Sequence, residues 1–225
     1  MSVPLSISQK RKLIIERMTA AAKRADMNDD QVLIAASKKQ PDFKIKEMLS
    51  AGQKVFGENR VQESQIRWGE TFQYVRKDIE LRLIGPLQSN KALEAIRLFD
   101  VIETLDRMSL AKALVKAADK HGSLPSLLVQ VNTGEEPQKS GVLPRQLPLF
   151  LRELKKEYNI IPSGLMCIPP QKEAASPHFW LLRKLTEDYG LQFTSMGMSN
   201  DYKIAIECGS NMIRLGSLIF GERNY

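Results

Sequence analysis

Two cysteines and two histidines are all that the 225 residues contain. Cys167 and Cys208 lie far apart and in no paired motif, which excludes a disulfide framework and fits a reducing compartment. With only His121 and His178 beside them, no metal centre is expected. Long apolar runs are missing too. None approaches the ~18 residues of a membrane-spanning helix, and "MSVPLSISQKRKLIIERMTAAAKR" has no apolar core long enough for a secretory signal. A cytoplasmic protein without membrane attachment is the expectation. No Gly/Ser-rich linker or low-complexity stretch divides the chain, so residues 1–225 read as one domain.

What is present is basic. The net charge is +7, but the basic residues are spread along the chain among 26 acids, with no aromatic-plus-basic RNA motif. Clustering is what releases counterions from a nucleic acid, so such a partner is not expected. A solvated basic surface that attracts small anions fits better.

Apolar periodicity alternates between two kinds of segment. Residues 7–25 carry helical spacing and predict an amphipathic helix. Short β-rich runs follow at 32–37, 54–58, 79–85, 99–105, 126–132, 162–168, 191–197 and 211–216. Between them lie helical patterns such as "DRMSLAKALVKAADKHG" and "PRQLPLFLRELKKEYN", several closing on Gly or Asn. Eight strands alternating with helices predict an α/β fold, a compact single-domain (β/α)₈ barrel (TIM barrel) preceded by an extra N-terminal helix. In that fold the active groups sit at the C-terminal strand ends, with phosphate held after strands 7 and 8.

"LIAASKKQPD" ends the first strand in two lysines. Alternation places Lys38 on the face of Ile34 and Ala36, and Lys39 on the face of Ala35 and Ser37. One enters the barrel mouth, and periodicity does not choose between them. A desolvated lysine beside another cation has a lowered pKa and is a nucleophilic amine, as Schiff-base chemistry requires. Two exposed loop lysines would read the same. After strand 7, "MGMSND" offers Ser199 or Asn200 as the N-cap of a following helix. After strand 8, Gly216 permits close backbone approach and Ser217 adds a hydroxyl. Arg214 stands two residues before Gly216 and would keep a pyridine nitrogen unprotonated. A pairing with an acid at the barrel rim is the plainer role. An aldehyde-bearing phosphate satisfies lysine, phosphate cradle and arginine together.

"ASKKQP", "FGENRVQE", "LIGPLQSNKA", "VNTGEEPQKSGV", "GLMCIPP", "SMGMSND" and "RLGSLIFGERNY" occur in order from residue 36 to the C-terminus, within a likeness that runs from about residue 7. In these blocks the chain resembles the YggS/PROSC family of pyridoxal 5′-phosphate (PLP) homeostasis proteins, whose barrel is that of the alanine racemase N-terminal domain, fold-type III. The resemblance implies PLP as cofactor, held as an aldimine on Lys38, the lysine directly after the serine. It implies that Ser199, Gly216 and Ser217 cradle the phosphate, that Arg214 faces the pyridine nitrogen, and that Asn59 and Met166 line the cofactor. Two positions depart from the family pattern. Arg82 replaces a frequent histidine before "LIGPLQ", and Ser217 replaces the usual threonine while keeping the hydroxyl.

The family's role is to hold, buffer and deliver the cofactor within the cell, so no catalytic residue is expected. Racemisation in this fold type needs an acid/base on each face of the cofactor, the second tyrosine coming from another domain of a partner subunit. Only nine residues follow Gly216, so no second domain is expected. A pyridine-facing arginine also weakens the electron sink. The alternatives are a low-activity amino-acid racemase or lyase using Lys38, and an aldolase-like barrel that traps a sugar phosphate and leaves Arg214 without purpose. Apo-PLP enzymes are the expected recipients, and a monomer the expected state. Lys91 and Lys139, after strands 3 and 5, would attract the anionic cofactor or be plain solvated lysines. "ENRVQES" reads as a helix start, and both cysteines as small buried hydrophobes.

Overall fold

All eight β-rich runs form strands, and the strands close on themselves. A computed structural model describes residues 5–222. It opens with α1 (Ile7–Arg24), then alternates β1 (Val32–Ala36), α2 (Asp42–Ser50), β2 (Val55–Glu58), α3 (Val61–Ser64), β3 (Glu80–Leu83), α4 (Ala92–Leu98), β4 (Val101–Leu105), α5 (Met108–His121) and β5 (Ser126–Val131). The second half continues with α6 (Leu147–Tyr158), β6 (Gly164–Cys167), α7 (Ala175–Asp188), β7 (Phe193–Ser195), α8 (Tyr202–Glu207), β8 (Met212–Leu215) and the single-turn α9 (Ser217–Phe220). Each strand pairs in parallel with the next, and β8 returns to β1 with Ile34 opposite Arg214. This is the (β/α)₈ barrel that the alternation predicts. The motif-ending Arg223, Asn224 and Tyr225 lie outside the described residues.

Local chemistry sets the helix ends. Ser6 and Gln9 form a reciprocal capping box at the start of α1, satisfying two backbone N–H groups that the helix itself leaves open. Its Ile7, Ile14, Met18, Ala21 and Ala22 are buried, as the helical spacing requires. Helices α5 and α6 stop at Gly122 and Asn159, both in the left-handed conformation.

Alternation then sorts the strand residues into two layers. Leu33, Ala35, Phe56, Leu81, Leu83 and Ile102 join the large core between barrel and helices. Val101, Leu128 and Met166, packed with Phe193, form a separate apolar plug inside the barrel. Two positions further along, toward the C-terminal strand ends, the interior turns polar and the site begins.

Candidate functional site

The end of β1 and the burial of the two lysines distinguish Lys38 from Lys39. Ile34 lies inside the barrel, its Cγ2 3.0 Å from where a Cβ on Gly57 would sit. The N–H of Ser37 donates to the carbonyl of Gly57 at 3.0 Å, so strand-like pairing runs past Ala36. Continued alternation would turn Lys38 inward, and it is half-buried in the turn that follows the strand. Lys39 sits at φ 57° and is exposed. A left-handed conformation costs a non-glycine residue roughly 1–2 kcal/mol, so the turn needs external support.

Glu58 and Arg67 supply it. Glu58, 1% exposed at the end of β2, accepts from Ser37 Oγ (2.7 Å), Arg67 Nη1 (2.9 Å) and Trp68 Nε1 (3.1 Å), all on Oε1. Arg67 also donates to the carbonyls of Ser37 (2.8 Å) and Gln40 (2.5 Å), one on each side of the lysine pair. A π-helical stretch, Gln65–Thr71, carries Arg67 and Trp68, and insertions of this kind gather at functional sites. Trp68 is fully buried against Phe56 and Phe72, which fixes the stretch. "ENRVQES" is thus a helix start, as expected, but its continuation is the brace behind Lys38. An acid on the same strand face as Phe56 was the visible signal for a buried ion pair.

After β7 and β8 the structure brings Ser199 and Ser217 together, with their hydroxyl oxygens 3.0 Å apart. A Cβ on Gly216 would stand 3.3 Å from the carbonyl oxygen of Ala36, so the β8 loop passes close to the strand that carries Lys38. The expectation that Ser199 or Asn200 caps the next helix is corrected. Asp201 is the N-cap of α8, and its Oδ1 accepts from the N–H of Met198, pulling Ser199 and Asn200 into a turn before the helix. Asn59 leaves β2 half-buried, and its Oδ1 is a buried acceptor without a protein partner. Its backbone crosses Gly85, where any Cβ would fall 2.4 Å from the Asn59 carbonyl oxygen. Met166 is fully buried within the interior plug, beneath the polar layer.

That layer is a buried ionic network. Arg214 Nη1 donates to Ser195 Oγ at 2.5 Å and Nη2 to the carbonyl of Cys167 at 2.8 Å. Ser195 Oγ donates in turn to Glu103 Oε2 (2.6 Å), and Glu103 Oε1 accepts from Arg82 Nη1 (2.9 Å). Arg82 also donates from Nε to Glu80. Arg214 therefore works inside the barrel, not as a rim residue. Burial pushes the Arg82 guanidinium down, but Glu103 and Glu80 outweigh it, and the net direction is up from the ordinary value. The Cys167 thiol, wholly buried, is pushed up to about 12 by desolvation, so it is an inert buried group. Arg82 pairs with Val101 of the interior plug, so Arg82 and Glu103 both point inside. Nothing in the pattern showed that they meet.

Lys91 and Lys139 lie on the ligand side but are engaged. Lys91 pairs with Glu94 at 3.2 Å, while Lys139 pairs with Glu136 and donates to the carbonyl of Pro169. A surface cleft lined by Arg17, Ser199, Tyr202 and Leu218 flanks the β7 loop from outside. Another, lined by Arg11, Gln31, Gln53 and Val55, lies at the N-terminal strand ends, away from every site residue. Among the described residues no group of acidic, cysteine and histidine side chains could hold a metal, and no helix is long and apolar enough to cross a membrane.

Residues 18–224 match the family described as alanine racemase, N-terminal domain. The pyridoxal phosphate homeostasis protein of Aquifex aeolicus is 36% identical over 222 residues, 94% of this chain and 96% of that one. Its namesake in Haemophilus influenzae is 33% identical over 235 residues, 98% of each. The chain belongs to the pyridoxal phosphate homeostasis protein family. Among solved structures, PipY of Synechococcus elongatus with PLP bound aligns with a TM-score of 0.77 at 35% identity, covering 92% of this chain and all of that one. The form without PLP aligns at 0.80. An alanine racemase of Clostridium difficile shares the fold at a TM-score of 0.68 and 14% identity, over 94% of this chain and 57% of the racemase.

Proposed function

We propose that this protein binds PLP at the barrel mouth through Lys38 and holds and delivers it, as a buffer for intracellular vitamin B6, without turnover of its own. The observation that carries the reading is the pairing of a half-buried Lys38 with the Ser199–Ser217 hydroxyl pair, joined by the close approach of Gly216 to the end of β1. These residues fit an aldehyde-bearing phosphate. Lys38 Nζ would take the aldehyde carbon, and Ser199, Ser217 and the backbone at Gly216 would hold the phosphate. Asn59 Oδ1, a buried acceptor without a protein partner, is available to a ligand donor. Met166 closes the floor beneath the ring.

When bound, PLP supplies an electrophilic carbon and a ring that draws electrons. Arg214 would stand by that ring as a permanent cation with no proton to release. A nitrogen beside it stays unprotonated, which weakens electron withdrawal and disfavours cleavage at an amino-acid α-carbon. The balance of these groups favours storage over turnover. A low-activity racemase or lyase is the second reading, favoured by a lysine amine positioned at the cofactor's carbon. The protein so described works in the cytoplasm, as a monomer, with apo-PLP enzymes as recipients.

An absorbance titration with PLP, followed by mixing with an apo-enzyme and by amino-acid α-proton exchange in heavy water, tests the proposal. A saturable chromophore, recovery of the apo-enzyme and no exchange above buffer are expected. Protein-dependent exchange would move the assignment to the second reading, and no chromophore would remove both.

A further inference from the structure

Glu103 is 0% exposed and has no part in the reading above. We propose that it is the positioning residue for Arg214, a buried counter-ion that sets the charge felt by the cofactor ring. This inference rests on the proposed PLP site.

The argument is one of geometry and charge. Glu103 on β4 reaches Arg82 on β3 with one oxygen and, through Ser195 on β7, Arg214 on β8 with the other. Its Oε2 stands 3.8 Å from Arg214 Nη1, close enough for direct attraction. Arg82 and Arg214 are 3% and 5% exposed, and two guanidiniums sealed in one barrel repel unless a carboxylate lies between them. Glu80, the second acid of the group, bonds Arg82 from the outer end. Two cations and two carboxylates make the cluster neutral. From β6 Arg214 meets the carbonyl of Cys167 and the nearby Cys167 thiol, which burial keeps protonated and so uncharged, and the apolar plug of Val101, Leu128 and Met166 adjoins the network. At the mouth stand Lys38 and Lys39 after β1, the Lys91–Glu94 and Lys139–Glu136 pairs, and Asp201 after β7, the same in every variant below. With Glu103 in place, Arg214 is held at two points and its charge is balanced. With it removed, the ring would face an unbalanced positive layer.

Charge-swap variants separate this role from simple space filling. The readout is the ratio of long- to short-wavelength absorbance of bound PLP at fixed pH, which reports how readily the bound chromophore keeps a proton. Added positive charge nearby disfavours that proton. Glu103→Gln should lower the ratio at least about twofold, the equivalent of roughly 0.3 pKa unit. Arg82→Met, which leaves the cluster negative, should raise it, and the double variant Arg82→Met/Glu103→Gln should return it close to wild type. If Glu103→Gln alone does not fold, the comparison of Arg82→Met with the double variant carries the same test. Equal ratios in wild type, Arg82→Met and the double variant, or a double variant further from wild type than either single one, would overturn the inference. Loss of the chromophore in wild type would instead overturn the PLP reading beneath it.

Discussion

Glu58 and Glu103 are both sealed from solvent on neighbouring parts of one barrel, yet they face opposite ways. Glu58 looks outward from β2, beside Phe56 and Trp68, and gathers donors that brace backbone. Glu103 looks inward from β4 and gathers the guanidiniums of Arg82 and Arg214. The outer carboxylate acts through shape: it anchors Arg67, which donates to the carbonyls of Ser37 and Gln40 on either side of the turn where Lys39 is left-handed. The inner one acts through charge. A substitution at the first should therefore show in stability, and one at the second in the spectrum of the bound cofactor.

The largest effect expected is at the amine itself. Lys38→Ala should abolish borohydride-fixed PLP on the protein, while Lys39→Ala should keep it, as read by intact mass. Glu58→Ala comes next. It leaves Arg67 and Trp68 Nε1 without their shared acceptor and should cost roughly 3–5 kcal/mol in denaturant unfolding. Glu103→Gln, by contrast, should reveal itself chiefly in the absorbance ratio. Ser199→Ala or Ser217→Ala should each weaken PLP binding about tenfold, through a lost hydrogen bond to a charged phosphate, and leave pyridoxal binding unchanged. An equal loss with pyridoxal would remove those serines from the phosphate site.

A smaller effect concerns pH. The native Cys167 thiol is pushed up to about 12, above its unfolded value near 9, so the fold favours the protonated form. Its contribution to stability is complete below pH ~8.5 and is lost progressively as pH rises toward the native value, where the unfolded thiol has already given up its proton. Stability of a Cys167→Ala variant should fall less steeply than wild type between those limits. The exposed Arg24–Glu207 pair sets the lower end of the scale, and Arg24→Ala should change stability by less than ~1 kcal/mol.

The barrel was legible because its code is local. Apolar runs of strand length alternate with helical patterns, and Gly122 and Asn159 mark helix ends where sterics demand it. Lys38, Arg214, Gly216 and Ser217 were readable as positions, since strand ends and the barrel's habits place them. Other features needed the third dimension. Alternation states that one lysine faces in, and only the structure shows Lys38 half-buried and Lys39 exposed in a left-handed turn. Ser199 read as a helix cap because its chemistry suits that role, yet the N-cap position falls on Asp201, whose carboxylate accepts from Met198 instead of capping. Glu58 with Arg67, and Glu103 with Arg214, pair across distant segments, and no local spacing announces such contacts.

Reductive trapping with peptide mapping tests the central claim most directly. Protein equilibrated with PLP and reduced with borohydride should carry a single added phosphopyridoxyl group, on the peptide containing Lys38 and at that residue. Modification at Lys39, or none at all, would contradict the account.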